Sequence, residues 1–149
     1  MSQTSTWVET FHEKMKKKLE QTSDMIQGKY PYTTTNGKYE NLDFIWEWYA
    51  GFWCGMLWLM YQDTGDEKYL RYARQAEEGL DEGFEDIRIY GHDVGFVWGL
   101  SAVADYKITG NECSKRRGYL AACALAARYN VAGGFIRAQE WPAKSEDPN

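Results

Sequence analysis

The stretch GFWCGMLWLMYQDTGDE, from Gly51 to Glu67, returns in altered form as GFVWGLSAVADYKITGNE, which ends at Glu112. The Gly-Phe pair at 51–52 maps to 95–96 with a shift of 44, because 95 − 51 = 44. The Thr-Gly pair at 64–65 maps to 109–110 with a shift of 45, because 109 − 64 = 45. The second copy therefore contains one inserted residue. A period of this length is typical of stacked helical hairpins.

Each copy predicts a buried inner helix, a Thr-Gly stop and a more polar outer helix. The inner segments are apolar nearly all round, which indicates burial on both sides. The repeat thus predicts an all-α protein, either a helical array or an α/α toroid of helical hairpins. The sequence predicts about two and a half hairpins, which are too few to close a ring. We therefore expect residues 1–149 to be the incomplete N-terminal part of a single barrel domain, with the remaining C-terminal part of the barrel still to come.

Helical periodicity and end signals predict the remaining elements. Helices are expected at about 5–27, 44–63, 66–84, 93–107 and 111–128. Asp43 is expected to cap the second of these helices and Asp66 to open the third. A loop is expected at 28–43, with a turn at Asn36-Gly37, and a Gly133-Gly134 turn should precede an extended segment at 135–138.

Composition limits the classes of partner and cofactor. The net charge of −5 argues against nucleic acid, and no apolar run is long enough to span a membrane. The three cysteines have no metal-like spacing, which favours reduced thiols in a cytoplasmic protein without a metal site. We accordingly expect a cytoplasmic location, no cofactor, no nucleic acid and no membrane.

Two features are candidates for a binding site. Seven aromatic residues fall within the sixteen positions 46–61, which suits either stacking on sugar rings or a thick aromatic core. The segment GHDVGF, at 91–96, opens the second inner helix. Its Asp93 is either a helix N-cap or a carboxylate that faces substrate, and His92 is either a structural residue or an acid or base. The repeat aligns Trp48 with His92, which lie at the starts of the two inner helices. Both of these helix entries can therefore face one sugar-binding pocket.

Four motifs carry a resemblance to a known family. They are W-x-x-G-F-W-x-G-x-L-W at 48–58, T-G-D-E-x-Y at 64–69, H-D-V-G-F at 92–96 and G-G-F-I-R-A at 133–138. In this order and spacing they resemble glycoside hydrolase family 88, the unsaturated glucuronyl hydrolases. The resemblance implies an (α/α)6 barrel of at least twice this length. It also implies removal of a Δ4,5-unsaturated uronic acid from the non-reducing end of lyase-generated oligosaccharides, by hydration of the C4–C5 double bond.

The resemblance also implies the site residues. Asp93 would be one of two catalytic aspartates, and its partner, the general acid/base, would lie in a later helix that this chain does not contain. Trp48, His92 and Trp141 would line the sugar site. Two positions depart from the family pattern: Ala50 stands where a polar residue is common, and Gln139-Glu140 separates Ala138 from the tryptophan. Trp141 could therefore equally be a loop residue that packs under the barrel rim.

Two other functions fit the same features. One is the related unsaturated rhamnogalacturonyl hydrolase activity. The other is a non-catalytic helical-repeat module that binds a sugar or a protein. Substitution of Asp93 separates catalysis from binding, because a binding module would keep its ligand, whereas an enzyme would lose rate.

Overall fold

The computed structural model describes residues 3–86 and 90–138, and residues 3–5 by their backbone alone. The helices within these ranges are α1 (Gln3–Ile26), α2 (Tyr49–Thr64), α3 (Glu67–Gly79), α4 (Val94–Leu100), α5 (Ala102–Thr109) and α6 (Glu112–Ala127). Short 3₁₀ turns at Asp81–Phe84 and Gly91–Asp93 follow α3 and precede α4. Two antiparallel hairpins pair β1 (Thr33–Thr35) with β2 (Lys38–Glu40), and β3 (Tyr129–Asn130) with β4 (Phe135–Ile136). None of the described helices is both long and apolar enough to cross a membrane.

The helices pack as successive hairpins. Helix α2 lies between its own outer helix, α3, and the next inner helix, α4. Helix α6 packs against both α4 and α5, and α1 packs on α2. The inner helices are thus covered by neighbours on more than one side, as their uniformly apolar sequence indicates. The predicted all-α arrangement of helical hairpins is confirmed.

The Thr-Gly stops work in the same way in both copies. Thr64 donates a hydrogen bond from Oγ1 to the carbonyl of Met60, and Gly65 takes the left-handed conformation that ends α2, with φ of 68°. Asp66 then caps α3, because its carboxylate accepts the backbone N–H of Lys68 at 2.9 Å. The second copy repeats each of these bonds and the left-handed glycine with Thr109, Gly110 and Asn111. The repeat in sequence is therefore a repeat in local geometry.

The inserted residue of the second copy coincides with a break in its inner helix. Ser101 has φ of −99° and ψ of −88°, and it divides the expected single helix into α4 and α5. Its hydroxyl donates to the carbonyl of Val97 at 2.6 Å, and its own carbonyl accepts the N–H of Asp105 at 2.9 Å. The prediction of one continuous helix at 93–107 is therefore wrong, because the additional residue is absorbed within the helix and not in the loop.

The start of the first inner helix also differs from the prediction. Helix α2 begins at Tyr49 and not near residue 44, and Asp43 is not its cap. The Asp43 carboxylate instead pairs with the ammonium group of Lys29. The expected loop contains a hairpin that sequence reasoning missed, although its turn at Asn36-Gly37 is confirmed. Both turn residues have positive φ, which is typical of a type I′ turn.

A glycine allows the two inner helices to approach closely. A Cβ atom at Gly51 would lie 2.4 Å from the Cα of Val97 and 2.6 Å from the carbonyl oxygen of Phe96. No side chain fits there, so α2 and α4 touch backbone to backbone. Gly51 is the first residue of the repeated stretch, and its small size decides how near the two helix entries lie.

Most of the tryptophan-rich segment forms the core. Trp53, Trp58 and Trp98 are each at most 1% exposed, and Trp98 stacks on Phe84 with a ring separation of 4.2 Å. Their three indole N–H groups have no hydrogen-bond partner among the described residues. For Trp53 and Trp58, which lie within positions 46–61, the aromatic-core interpretation is correct.

A buried polar cluster joins the two hairpins, and sequence reasoning did not anticipate it. Asp105, on α5, is completely buried and accepts hydrogen bonds from the side chains of Arg74, Thr109, Asn111 and Ser114. Burial alone would raise the pKa of Asp105, but these four donors outweigh it and hold the pKa below its ordinary value. The charged carboxylate is therefore stable in the core.

Glu77, on α3, is the second acidic member of this cluster. Its Oε1 accepts from the guanidinium of Arg117 at 3.0 Å and lies 2.6 Å from the Ser114 hydroxyl, whose single hydrogen is shared between Glu77 and Asp105. Burial raises its pKa above the ordinary value in spite of these bonds, and its Oε2 atom has no partner among the described residues. Within one cluster, the pKa of the Asp105 carboxylate is thus lowered, whereas the pKa of the Glu77 carboxylate is raised.

Candidate active site

Asp93 lies where the second inner helix begins. Its φ of −70° and ψ of −7° are already helical, and its side chain makes no capping hydrogen bond. A capping side chain needs a residue with extended backbone, but the 3₁₀ turn at Gly91–Asp93 leads directly into α4. Asp93 therefore stands at the N-cap position of α4, but the prediction that its carboxylate caps the helix is wrong. Its carboxylate is 26% exposed and is not used by the helix.

His92 lies between this carboxylate and a backbone oxygen. Its Nε2 is 3.4 Å from Oδ1 of Asp93, and its Nδ1 is 2.8 Å from the carbonyl oxygen of Ala138. A carbonyl oxygen only accepts hydrogen bonds, so Nδ1 carries the hydrogen. The backbone N–H of His92 donates to the same oxygen at 3.0 Å. Residues 92 and 138 are thus joined by two hydrogen bonds.

Arg128 holds the carbonyl that His92 contacts. The arginine is only 7% exposed, and it follows the last residue of α6. Its Nε donates to the carbonyl of Arg137 at 2.9 Å, and its Nη2 donates to that of Ala138 at 3.1 Å. The backbone N–H of Arg137 returns a bond to the carbonyl of Arg128 at 3.0 Å. The predicted turn and extended segment after α6 are confirmed, and they bring Ala138 to the start of α4.

Gly91 makes this approach possible. Its φ of 55° lies in the left-handed region, and a Cβ atom there would be 3.1 Å from the carbonyl oxygen of Ala138. A side chain would both strain the backbone and crowd that oxygen. The glycine before His92 is therefore required by the turn and by the neighbouring segment that carries Ala138.

Aromatic rings connect the two helix entries. Trp48, just before α2, is 48% exposed and meets Phe52 edge to face at 5.2 Å. Phe52 in turn lies 5.9 Å from Phe96, which is one helical turn after Asp93. The half-exposed rings of Trp48, Phe52 and Phe96 form what we call the entry aromatic cluster. It extends from the start of α2 to the start of α4.

The structure thus brings His92 and Asp93 into contact and connects Trp48 to their helix through two phenylalanines. Trp141 lies outside the described residues. Sequence reasoning counted Phe52 among the aromatic residues at 46–61 but did not single out Phe52, Phe96 or Arg128 as candidate site residues. The repeated Gly-Phe pair was a usable signal for the two phenylalanines. No local pattern marks Arg128, because its role depends on the turn that folds back over it.

The arrangement offers a carboxylate, an imidazole and flat apolar rings at one end of the hairpin stack. Such a combination suits a sugar, since hydroxyl groups bind to carboxylate and imidazole while ring faces stack on aromatic side chains. Within residues 3–86 and 90–138 there is no group of three or more His, Cys, Asp or Glu side chains that could hold a metal ion.

The stacked helical hairpins, with the site at the entries of the inner helices, define the α/α-barrel class. The chain is 33% identical over 125 residues to the unsaturated glucuronyl hydrolase of Bacillus sp. (strain GL1), a match that covers 81% of this chain and 32% of the relative. It is 35% identical over 133 residues to an unsaturated chondroitin disaccharide hydrolase of Streptococcus agalactiae serotype III (strain NEM316), with 88% and 33% covered.

The fold agrees with the sequence. The crystal structure of the Bacillus sp. GL1 unsaturated glucuronyl hydrolase, described as responsible for the degradation of glycosaminoglycan, superposes with a TM-score of 0.74 at 28% identity. That superposition covers 86% of this chain and 34% of the other. No family model matches the chain. Over the length it has, the chain is a relative of the unsaturated glucuronyl hydrolases of glycoside hydrolase family 88, and the predicted resemblance is confirmed. It spans about one third of the length of these relatives.

Proposed function

We propose that this chain is the N-terminal part of an α/α-barrel catalytic domain that hydrolyses unsaturated uronyl oligosaccharides. The observation that carries the proposal is the Asp93 carboxylate, which is partly exposed, is not used as a helix cap and lies 3.4 Å from Nε2 of His92. The relatives named above support the class of substrate, a lyase product with a Δ4,5-unsaturated uronic acid at its non-reducing end. A cytoplasmic location stays a prediction from the unpaired cysteines.

The reaction we propose is a hydration. A carboxylic acid delivers a proton to C4, and water adds at C5 after giving up its own proton. The product at C5 is a hemiketal, which opens to a C5 ketone and leaves a hemiacetal at C1. That hemiacetal breaks down to an aldehyde and the free alcohol of the remaining oligosaccharide. Only water is consumed, so the sequence of steps needs no cofactor.

We assign to Asp93 the member of the aspartate pair that binds substrate hydroxyls and hydrogen-bonds to its partner. A second carboxylate nearby raises the pKa of the acid that delivers the proton, because two like charges disfavour double ionisation. In this proposal the partner aspartate belongs to a later inner helix. Trp48 and His92 would line the sugar site, and Trp141, outside the described residues, stays a prediction.

The test uses a chimaera in which this chain replaces the matching third of the Bacillus sp. GL1 hydrolase. Turnover is followed as loss of the ultraviolet absorbance of the conjugated double bond in an unsaturated chondroitin disaccharide. We expect the chimaera to be active and its Asp93→Asn variant to lose at least about a hundredfold in kcat. Asp43→Asn is the matched control, because Asp43 is 81% exposed and pairs only with a surface lysine in the described contacts.

Three results would contradict the proposal. The first is an Asp93→Asn chimaera with unchanged kcat. The second is robust turnover by the 149-residue chain alone, which would show that no later aspartate is needed. The third is a chimaera that binds the disaccharide but never consumes it, which would favour a binding module. Parallel rates on an unsaturated pectin disaccharide separate glucuronyl from rhamnogalacturonyl hydrolase activity.

A further inference from the structure

We propose that His92 is a positioning residue for the Asp93 carboxylate, and that Arg128 fixes the orientation of His92 through the carbonyl group of Ala138. The catalytic meaning of this assignment rests on the proposed function, whereas the orientation of the imidazole does not. Three consecutive contacts carry it: Arg128 Nη2 to Ala138 O at 3.1 Å, His92 Nδ1 to the same oxygen at 2.8 Å, and His92 Nε2 to Asp93 Oδ1 at 3.4 Å.

The first step concerns which nitrogen of His92 holds its hydrogen. Because the Ala138 carbonyl oxygen only accepts, the imidazole donates to it from Nδ1. Nε2 is then the nitrogen that faces Asp93, and it donates to Oδ1 of the carboxylate when the ring carries a hydrogen on both nitrogens. At many metal and catalytic sites, the hydrogen bond that one ring nitrogen makes decides which nitrogen of the histidine carries the hydrogen.

The second step concerns what holds the carbonyl in place. The oxygen of Ala138 belongs to a chain segment that leaves the β3–β4 hairpin, and a hairpin with two-residue strands is a weak anchor by itself. Arg128 bridges two successive carbonyl groups of that segment, those of Arg137 and Ala138. A guanidinium presents several N–H groups in one plane and can bridge both oxygens, whereas an ammonium group is a point donor. Burial of Arg128 strengthens these bonds.

The third step concerns why the support matters for Asp93. The Asp93 side chain is partly exposed and makes no capping bond, so helix α4 does not fix its rotamer. Among the contacts of the described residues, it is the imidazole that limits where the carboxylate points. A group that must meet a substrate within a few tenths of an ångström requires such support from its surroundings. In addition to lining the sugar site, His92 therefore acts on the reaction through Asp93.

The first experiment reads the imidazole directly and needs no activity. In a His12→Gln background, His92 is the single histidine, and ¹⁵N spectra of the chain report the hydrogen on each ring nitrogen. We expect a slowly exchanging hydrogen on Nδ1, which Arg128→Lys converts to a rapidly exchanging one or moves to Nε2. Arg116→Lys is the matched control, because Arg116 is exposed on α6, and it should change nothing. An unprotonated Nδ1 in the parent, or no change in Arg128→Lys, overturns the proposal.

The second experiment separates positioning from a merely structural role. In the chimaera, His92→Asn places an amide N–H where Nδ1 lies and keeps the bond to Ala138, whereas His92→Gln places one where Nε2 lies and keeps the contact with Asp93. A positioning role predicts that His92→Gln retains at least tenfold more kcat than His92→Asn, with similar KM values. A structural role predicts the reverse order and overturns the proposal. An inactive chimaera with the expected Nδ1 spectrum would contradict the proposed function and leave the Arg128–Ala138–His92 connection supported.

Discussion

The guanidinium of Arg74 donates two hydrogen bonds to the carboxylate of Asp105, from Nε to Oδ2 and from Nη2 to Oδ1, both at 3.1 Å. Arg74 belongs to the outer helix of the first hairpin and Asp105 to the inner helix of the second. The pair therefore joins one repeat to the next by a bidentate, charge-assisted contact. It lies on the side of the hairpins away from the helix entries, so its effect should be on stability.

Removing the charge of Asp105 should destabilise the fold. We expect Asp105→Asn to lower the free energy of unfolding by about 3 kcal/mol, because it leaves Arg74 without its buried charged acceptor and Ser114 with Glu77 as its remaining carboxylate partner. Asp81→Asn is the control, since Asp81 is 46% exposed and pairs with Arg117 near the surface, and it should cost less than about 1 kcal/mol. Urea unfolding monitored by circular dichroism measures both. Equal losses for the two variants would contradict this assignment.

The ionisation of Glu77 should make the free energy of unfolding depend on pH. Burial raises its pKa in the folded protein above the ordinary 4.5, so the folded state resists its ionisation. The unfolded chain loses this proton first as pH rises, and the free energy of unfolding then falls until the raised pKa is passed. Glu77→Gln removes this loss. The variant should therefore gain stability relative to the parent from about pH 4.5 upward, by at most about 1.4 kcal/mol per pH unit.

Unfolding midpoints in urea between pH 4 and pH 7 test this response. The Glu112→Gln variant is a suitable control, because Glu112 is 73% exposed and pairs with Lys115 on the surface. A constant difference between Glu77→Gln and the parent across this range would refute the idea that Glu77 ionises reluctantly in the fold.

Two of the inner-helix glycines, Gly51 and Gly99, should respond differently to the same substitution. Gly51→Ala places a methyl group 2.4 Å from the Cα of Val97, so the helices must separate, at a cost of about 2 kcal/mol. A Cβ at Gly99 would meet no described atom within 4 Å. Gly99→Ala should therefore be neutral or stabilise the protein by up to about 1 kcal/mol, as expected for alanine in a helix. Thermal unfolding distinguishes the two variants, and a stable Gly51→Ala protein would show that the backbone contact is not tight.

Trp48 should matter for binding of the sugar and not for folding. Because its ring is about half exposed and meets Phe52 at its edge, we expect Trp48→Ala in the chimaera to raise KM about five- to tenfold with a smaller effect on kcat. Trp7→Ala is the control, because Trp7 is 68% exposed on α1 and lies far along the chain from the helix entries. Unchanged KM in Trp48→Ala would remove the entry aromatic cluster from the sugar site.

The sequence by itself was sufficient for the class of fold. Helical hairpins follow from the repeat, and the Thr-Gly stops act through bonds between residues two to four positions apart, such as Thr64 to Met60. Such local bonds are readable from a sequence because they depend on spacing alone. The same holds for the turn at Asn36-Gly37 and for the identity of His92 and Asp93 as candidate site residues.

Only the tertiary structure decided which contacts those residues make. Sequence spacing left Asp93 as either a cap or a free carboxylate, and the choice was made by the 3₁₀ turn that enters α4 with helical backbone angles. The orientation of His92 depends on Ala138, 46 residues later. The burial of Asp105 depends on donors from α3 and α6. Contacts between distant segments follow from packing of the whole chain, and no local pattern of residue types records them.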